Sequence, residues 1–149
     1  MSQASLAEIE LTTYDASALV HLPPELTALL PLGEGRLPSP AEAAEREAYL
    51  LVAAARPEGI LGYAGAYVGA GVVHIEPLAL APALDHGDAD RVCRLLVAEI
   101  LAALDRPWAP VAVQPGTPAV AALLREGWRH MQVPHDVAEV LLSGADARA

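Results

Sequence analysis

Apolar residues gather in short, turn-bounded runs through the first half of the chain and take up helical spacing further on. Glu8–Tyr14 (EIELTTY) has the β-branched, mixed composition of a strand. Asp15 stands where a cap would open a helix from Ala16 towards Leu22, and Pro23-Pro24 interrupts it. Glu25–Leu30 returns to helical composition, Leu32–Pro40 is a Gly/Pro-rich loop, and Ser39-Pro40 starts a short helix over Ala41–Arg46. Tyr49–Ala55 (YLLVAAA) reads as the next strand, closed by a type I turn at Arg56–Gly59. The run Ile60–Val68, the turn Gly69-Ala70-Gly71 and the run Val72–Leu80 (VVHIEPLAL) then make a β-hairpin.

From Arg91 to Leu104 the period changes. Val92, Leu96, Ile100 and Ala103 fall on one helical face with Cys93, Val97 and Leu101 beside it, so this helix is expected to be largely covered, with Asp88 or Asp90 as its cap. Asp105–Ala109 is a break, and Pro110–Gln114 (PVAVQ) is a short strand. Thr117 caps a helix over Pro118–Glu126 that Gly127 ends. Trp128–Val133 and Asp136–Leu142 read as two strands around Pro134-His135, and Ser143–Ala149 as a frayed end. With no internal repeat and no linker, residues 1–149 are read as one α/β domain.

Composition changes this picture at a few points. At 149 residues and 54% apolar content the chain can bury a sizeable core. The formal charge is −10, every basic residue is Arg, and no basic stripe exists, which argues against nucleic-acid binding. The charge suits a cationic substrate or partner, although solubility accounts for it more simply. The single cysteine, Cys93, excludes an internal disulfide and fits a core position. Met1–Glu10 has neither a basic nor an apolar signal region, and the longest uncharged apolar run, Gly59–Val73, is short of the ~20 residues a membrane helix needs. The expectation is a soluble cytoplasmic protein with no membrane or nucleic-acid partner.

The order of elements, with four strings inside it, resembles the GNAT superfamily of acyl-CoA-dependent N-acyltransferases over nearly the whole chain. Tyr49–Ala55 with Gly59–Ala66 is similar to the family's second and third strands and their Gly-Tyr-Ala. His74–Pro82 (HIEPLALAP) is similar to its fourth strand, and Ala119–Trp128 (AVAALLREGW) to its last helix. The resemblance implies a single α+β domain whose mixed, mostly antiparallel sheet of about six to seven strands is flanked by helices. It also implies acetyl-CoA or a similar thioester as co-substrate, and a small-molecule or peptide amine as acceptor.

Two family motifs are degenerate in this chain. The acyl-CoA loop, Arg/Gln-x-x-Gly-x-Gly/Ala, counted back from Leu95-Leu96, has Gly87 in the Arg/Gln slot, Asp90 at the first Gly and Val92 at the second, with extra residues after Pro82. A carboxylate ~6 Å from a phosphate charge costs roughly 3 kcal/mol at an effective dielectric near 20. The helix dipole returns only ~0.3–1 kcal/mol, so Arg91, Arg94 or a cation must offset the aspartates. The family's Asn-x-x-Ala-x-x-x-Tyr, whose Tyr protonates the leaving thiolate, becomes Gly116-x-x-Ala119-x-x-x-Leu123 and lacks the hydroxyl.

By the same resemblance, Glu76 is the carboxylate that takes a proton from the acceptor amine, directly or through water, a role apt for an acid in an apolar cleft. An edge carboxylate paired with an Arg is the other reading. His74, two residues earlier on the same strand face, could relay that proton or be a hydrogen-bonded structural His. Pro77 cannot donate in a ladder and marks a bulge, an opening or an exposed edge. The resemblance makes Leu78, Ala79 and Leu80 the main-chain contacts of the acyl-pantetheine arm, and Arg91 and Arg94 the charges nearest its phosphates. The loop acids Asp85, Asp88 and Asp90 with His86 lack a calcium-loop order, and no metal is expected. The alternative to an N-acyltransferase is a catalytically silent interaction or ligand-binding domain of the same fold, a homodimer or a partner module.

Overall fold

A computed structural model of the chain describes residues 9–15, 18, 45, 47–57, 59–69, 71–82, 84–106, 109–113, 118–130 and 140–143. The helices and loop expected between Ala16 and Arg46, the Thr117 cap and the tail after Ser143 fall almost wholly outside these residues.

Seven strands form one sheet, in the order β1-β2-β3-β4-β5-β7-β6. They are β1 (Glu10–Asp15), β2 (Glu47–Arg56), β3 (Gly59–Gly69), β4 (Val72–Leu80), β5 (Val111–Val113), β6 (Arg129–His130) and β7 (Val140–Ser143). Two described helices, α1 (His86–Ala103) and α2 (Pro118–Glu126), follow β4 and β5 respectively. Only β4 and β5 run parallel; the other neighbours are antiparallel. That exception follows from connectivity, since a helix crossover between two strands of one sheet brings the second back alongside the first in the same direction.

The near-continuous apolar composition of β2 and β3 reflects a sheet covered on both faces. Leu50, Val52, Ala54, Ala64 and Ala66 belong to the core that includes α1, whereas Leu51, Ala53, Tyr63 and Ala79 form a separate buried cluster. The α1 stripe is as the periodicity predicts at Val92, Cys93, Leu96, Val97, Ile100 and Leu101, all buried. Ala103, expected on that face, is exposed.

The start of α1 corrects the sequence reading. The helix opens at His86 and not at Arg91, and its cap is Asp85, whose side chain accepts from the Asp88 amide at 2.7 Å. Neither Asp88 nor Asp90 caps it. Apolar periodicity locates only the turns that meet the sheet, and the first turn here is polar and exposed. At the other end Asp105 takes a left-handed conformation (φ 56°), with Asp105 N–H bonded to Ala102 O and Arg106 N–H to Leu101 O. Gly127 (φ 111°) ends α2 in the same way, as expected, and Trp128 folds back onto the core.

Ala48 sits in a bulge of β2, between the register positions of Glu47 and Leu50, with φ 57°. A left-handed conformation costs an L-residue roughly 1–2 kcal/mol. The Ala48 side chain is exposed, so its removal forfeits no packing. Ala48→Gly is therefore expected to raise unfolding stability by about 0.5 kcal/mol after the added chain entropy of glycine. A urea titration showing a loss instead would place the strain elsewhere.

Candidate active site

β4 has two different halves. Val73, His74 and Ile75 pair with Val111, Ala112 and Val113 of β5, the last described residues of that strand. On the β3 side the register steps from Ala66↔Ile75 to Ala64↔Leu78, so β4 carries an extra residue at Glu76-Pro77. Of the bulge, opening or exposed edge that Pro77 allows, the register shows a bulge, at a position where the chain has no N–H to give. Beyond it, Leu78–Leu80 pairs with β3 alone, and no described strand pairs with its β5-side edge.

Alternation then determines which groups meet that edge. Ala81 N–H donates to Leu61 O at 2.7 Å, so Ala79 also turns its main-chain groups towards β3. Leu78 and Leu80 direct their N–H and C=O to the β5 side. Of the three expected contact residues, two thus turn their main-chain groups away from β3, while Ala79 is held in the ladder. An extended ligand can add to such an edge as a further strand would.

The bulge also sorts side chains between faces. Val73, Ile75 and Leu78 join the core on the α1 side, whereas Ala79 packs on the opposite face with Tyr63, and alternation assigns His74 and Glu76 to that second face. Without the extra residue, Leu78 rather than Ala79 would share the Glu76 face. Glu76 is half-buried and makes no ion pair with any described residue, which removes its arginine-paired reading within them. His74 stacks on Tyr67, with ring centroids 4.9 Å apart and planes 8° from parallel, and its Nε2 lies 3.4 Å from Gly69 O. A carbonyl can only accept, so any hydrogen bond between them is donated by Nε2. These contacts tie the ring to the turn end of the hairpin. Burial pushes the Tyr63 phenol up to about 12, and it stays neutral beside Ala79.

The acids after β4 are engaged in ways the sequence did not show. Asp85 caps α1, and Asp88 lies 3.9 Å from Arg56 Nη2. Asp90 Oδ1 accepts from Nε of Arg125 at 3.0 Å and from its Nη2, while Asp90 Oδ2 stands 3.6 Å from Arg94 Nε. Two guanidinium groups thus flank Asp90: Arg94, one of those the sequence offered as an offset, and Arg125, which it did not. Val92, counted as the second loop position, lies inside α1 and is fully buried. By helix geometry the amides of His86 and Gly87 have no intrahelical acceptor, whereas Asp85 already occupies that of Asp88. Arg91 and Arg94 line a cavity of about 330 Å³ with Leu95, Ala98 and Glu126.

Arg56 and Arg125 are the site residues that sequence reasoning missed. Arg125 is 35 residues from Asp90 and no local pattern links them. The Asp90–Arg94 pair at i,i+4 was legible as helix spacing. Cys93 is a free thiol buried in the core. Burial, then the Asp90 carboxylate, push its thiol up to about 12. Leu123, in the slot of the family's tyrosine, is fully buried in the core. Among the described residues no group of three His, Cys, Asp or Glu could hold a metal ion, and no helix is long and apolar enough to cross a membrane.

The described sheet, mostly antiparallel with one parallel pair and a described helix after each of those two strands, has the fold of solved GNAT acyltransferases. The chain superposes on the ribosomal-protein-S18-alanine N-acetyltransferase of Escherichia coli with a TM-score of 0.54 and 15% identity, over 91% of this chain and 92% of that one. For an aminoglycoside acetyltransferase in complex with coenzyme A the TM-score is 0.57 at 20% identity, over 93% and 96%. For a GNAT family acetyltransferase from Elizabethkingia anophelis with acetyl-CoA bound it is 0.56 at 17%, over 92% and 97%. No protein-family model matches the sequence, and no curated protein matches it.

Proposed function

We propose that this protein is an N-acyltransferase that moves an acyl group from acetyl-CoA, or a similar thioester, to a primary amine of a small molecule or peptide. The observation that carries the proposal is the edge of β4 that no described strand pairs, where Leu78 and Leu80 offer main-chain groups next to a half-buried Glu76 free of ion pairs among the described residues. Main-chain recognition depends on strand geometry, so it tolerates the side-chain drift seen after Pro82.

A bound thioester supplies an activated acyl carbon. Leu78 and Leu80 hold its arm in extended form, and Glu76 takes the proton that an ammonium must lose before its nitrogen can attack. A C–N bond forms, the C–S bond breaks, and the sulfur leaves as thiolate. With Leu123 in place of a hydroxyl, the thiolate takes, directly or through solvent, the second proton that the acylated nitrogen releases. His74, stacked on Tyr67, positions the strand beneath Glu76. The likeness to acetyltransferases that bind coenzyme A or acetyl-CoA supports this reading, as do the arginines around Asp90 and Asp88.

Isothermal titration of acetyl-CoA and CoA tests it first. Saturable binding in the micromolar range is expected, and a blank titration together with an unmoved melting temperature would reject the acyltransferase.

A further inference from the structure

The His74 ring is held from two directions. Tyr67, its direct register partner in β3, stacks on it with centroids 4.9 Å apart and planes 8° from parallel. Gly69, two residues along on the same face, meets the ring at its edge. Nε2 lies 3.4 Å from Gly69 O, and a Cβ at Gly69 would stand 3.2 Å from Nε2 and 3.4 Å from Cδ2. The Cδ2–Nε2 edge therefore faces the hairpin turn, and the opposite edge of an imidazole carries Nδ1. With the proton on Nε2, where Gly69 O can accept it, the lone pair is on Nδ1. Glu76 lies the other way along β4, on the same face and roughly 7 Å along the strand. A nitrogen that makes one hydrogen bond of ~3 Å to each side chain spans about that distance.

We propose that Tyr67 and Gly69 are positioning residues for acyl transfer, fixing the His74 imidazole with its Nδ1 lone pair towards the acceptor nitrogen beside Glu76. The proposal rests on the acyltransferase reading above. An ammonium sheds two protons on its way to an amide, and one carboxylate takes only one. Glu76 takes the first, the amine attacks, the C–N bond forms and the C–S bond breaks. The acylated nitrogen gives its second proton to His74 Nδ1, which passes it through solvent to the departing thiolate. The imidazole ends neutral, and Glu76 returns its proton to water. Tyr67 and Gly69 act only through the ring. A flat partner resists its rotation about Cβ–Cγ, and the missing side chain of Gly69 admits its edge.

The test measures turnover, amine KM and acetyl-CoA affinity in Tyr67→Leu, Tyr67→Phe, Gly69→Ala and His74→Gln, with circular dichroism to confirm folding. Tyr67→Leu and Gly69→Ala are also each combined with His74→Gln. Ring-nitrogen NMR reads the His74 tautomer, assigned by the signal lost in His74→Gln. Turnover is expected to fall about tenfold in His74→Gln, about fivefold in Tyr67→Leu and about threefold in Gly69→Ala, with acetyl-CoA affinity and amine KM unchanged. Tyr67→Phe keeps the stack and should stay within about twofold of wild type, with the same Nε2–H tautomer. On the His74→Gln background neither positioning variant should cost more, since nothing is left to position. Gly69→Ala carries the same cycle should Tyr67→Leu lose its fold. Full turnover in the positioning variants, a further loss in the double variants, no rescue by Tyr67→Phe, or an Nδ1–H tautomer in the wild type would overturn the proposal. A wild type that binds no acetyl-CoA sinks the acyltransferase and this proton step together. Transfer by the wild type that is undiminished in His74→Gln sinks this proposal alone.

Discussion

Glu76→Gln is expected to lower acetyl transfer by about 100-fold or more, the lower end of what a positioned general base contributes. That corresponds to at least ~2.7 kcal/mol of transition-state stabilisation. Affinity for acetyl-CoA should stay nearly unchanged, because main-chain groups of Leu78 and Leu80, on the far side of the bulge from Ile75, would hold the thioester. The pH profile separates a base from a merely structural carboxylate. An alkylamine with a pKa near ~10.4 is almost fully protonated at neutral pH, so the wild type gains most there. As pH rises the free amine accumulates unaided, and the defect of the variant should narrow. Equal turnover by variant and wild type, or a defect constant with pH, removes Glu76 from proton transfer. The substitution keeps the size of the side chain, so lost folding is an unpromising explanation for any defect.

The second large effect is structural and reaches the site through the backbone. A Cβ on Gly62 would lie 2.7 Å from Ala79 O and 2.8 Å from Leu80 Cδ2. Gly62 opposes Leu80 in the register, at a pair that does not exchange ladder bonds and where the strands approach closest. Leu80 can move a side-chain carbon, but the Ala79 carbonyl is fixed in the β3 ladder. Gly62→Val must therefore push the end of β4 outward. The expected cost is about 3 kcal/mol in urea unfolding, at the upper end of overpacking effects. Acetyl-CoA affinity should fall further than the stability loss alone explains, since the displaced segment is the Leu78–Leu80 edge itself. Wild-type stability in this variant would mean that β3 and β4 are looser than the register implies. Wild-type affinity despite lost stability would take Leu78–Leu80 out of the binding edge.

Much of the architecture was legible because its signals are local. The Gly-punctuated hairpin, the apolar stripe of α1 and Gly127 at the end of α2 each depend on residues a few positions apart. Pro77 announced a bulge, an opening or an exposed edge because one residue type lacks one donor. The candidate base was legible only through a resemblance, as nothing in the composition of HIEPLAL singles out Glu76. The beginning of α1 was not legible, since a polar first turn has no hydrophobic period and the choice among three aspartates as cap depends on which side chain folds back onto an amide. Of the last two expected strands, Arg129–His130 and Val140–Ser143 are described and pair antiparallel; apart from Trp128, the rest of both expected ranges lies outside the described residues.

By itself, then, the sequence determined the element order, the apolar faces and the place where β4 must break its ladder, all set by short-range periodicity and the special backbones of Gly and Pro. Tertiary structure alone decided which face Leu78 and Ala79 take, because one extra residue in a strand inverts every side chain after it. It also decided the charge of the candidate site. On paper Asp90 is a carboxylate where a phosphate should rest; in the fold it lies between Arg94 and Arg125, the second brought 35 residues along the chain by the packing of α2 on α1. Electrostatic energy depends on distance in space, and a sequence records only distance along the chain.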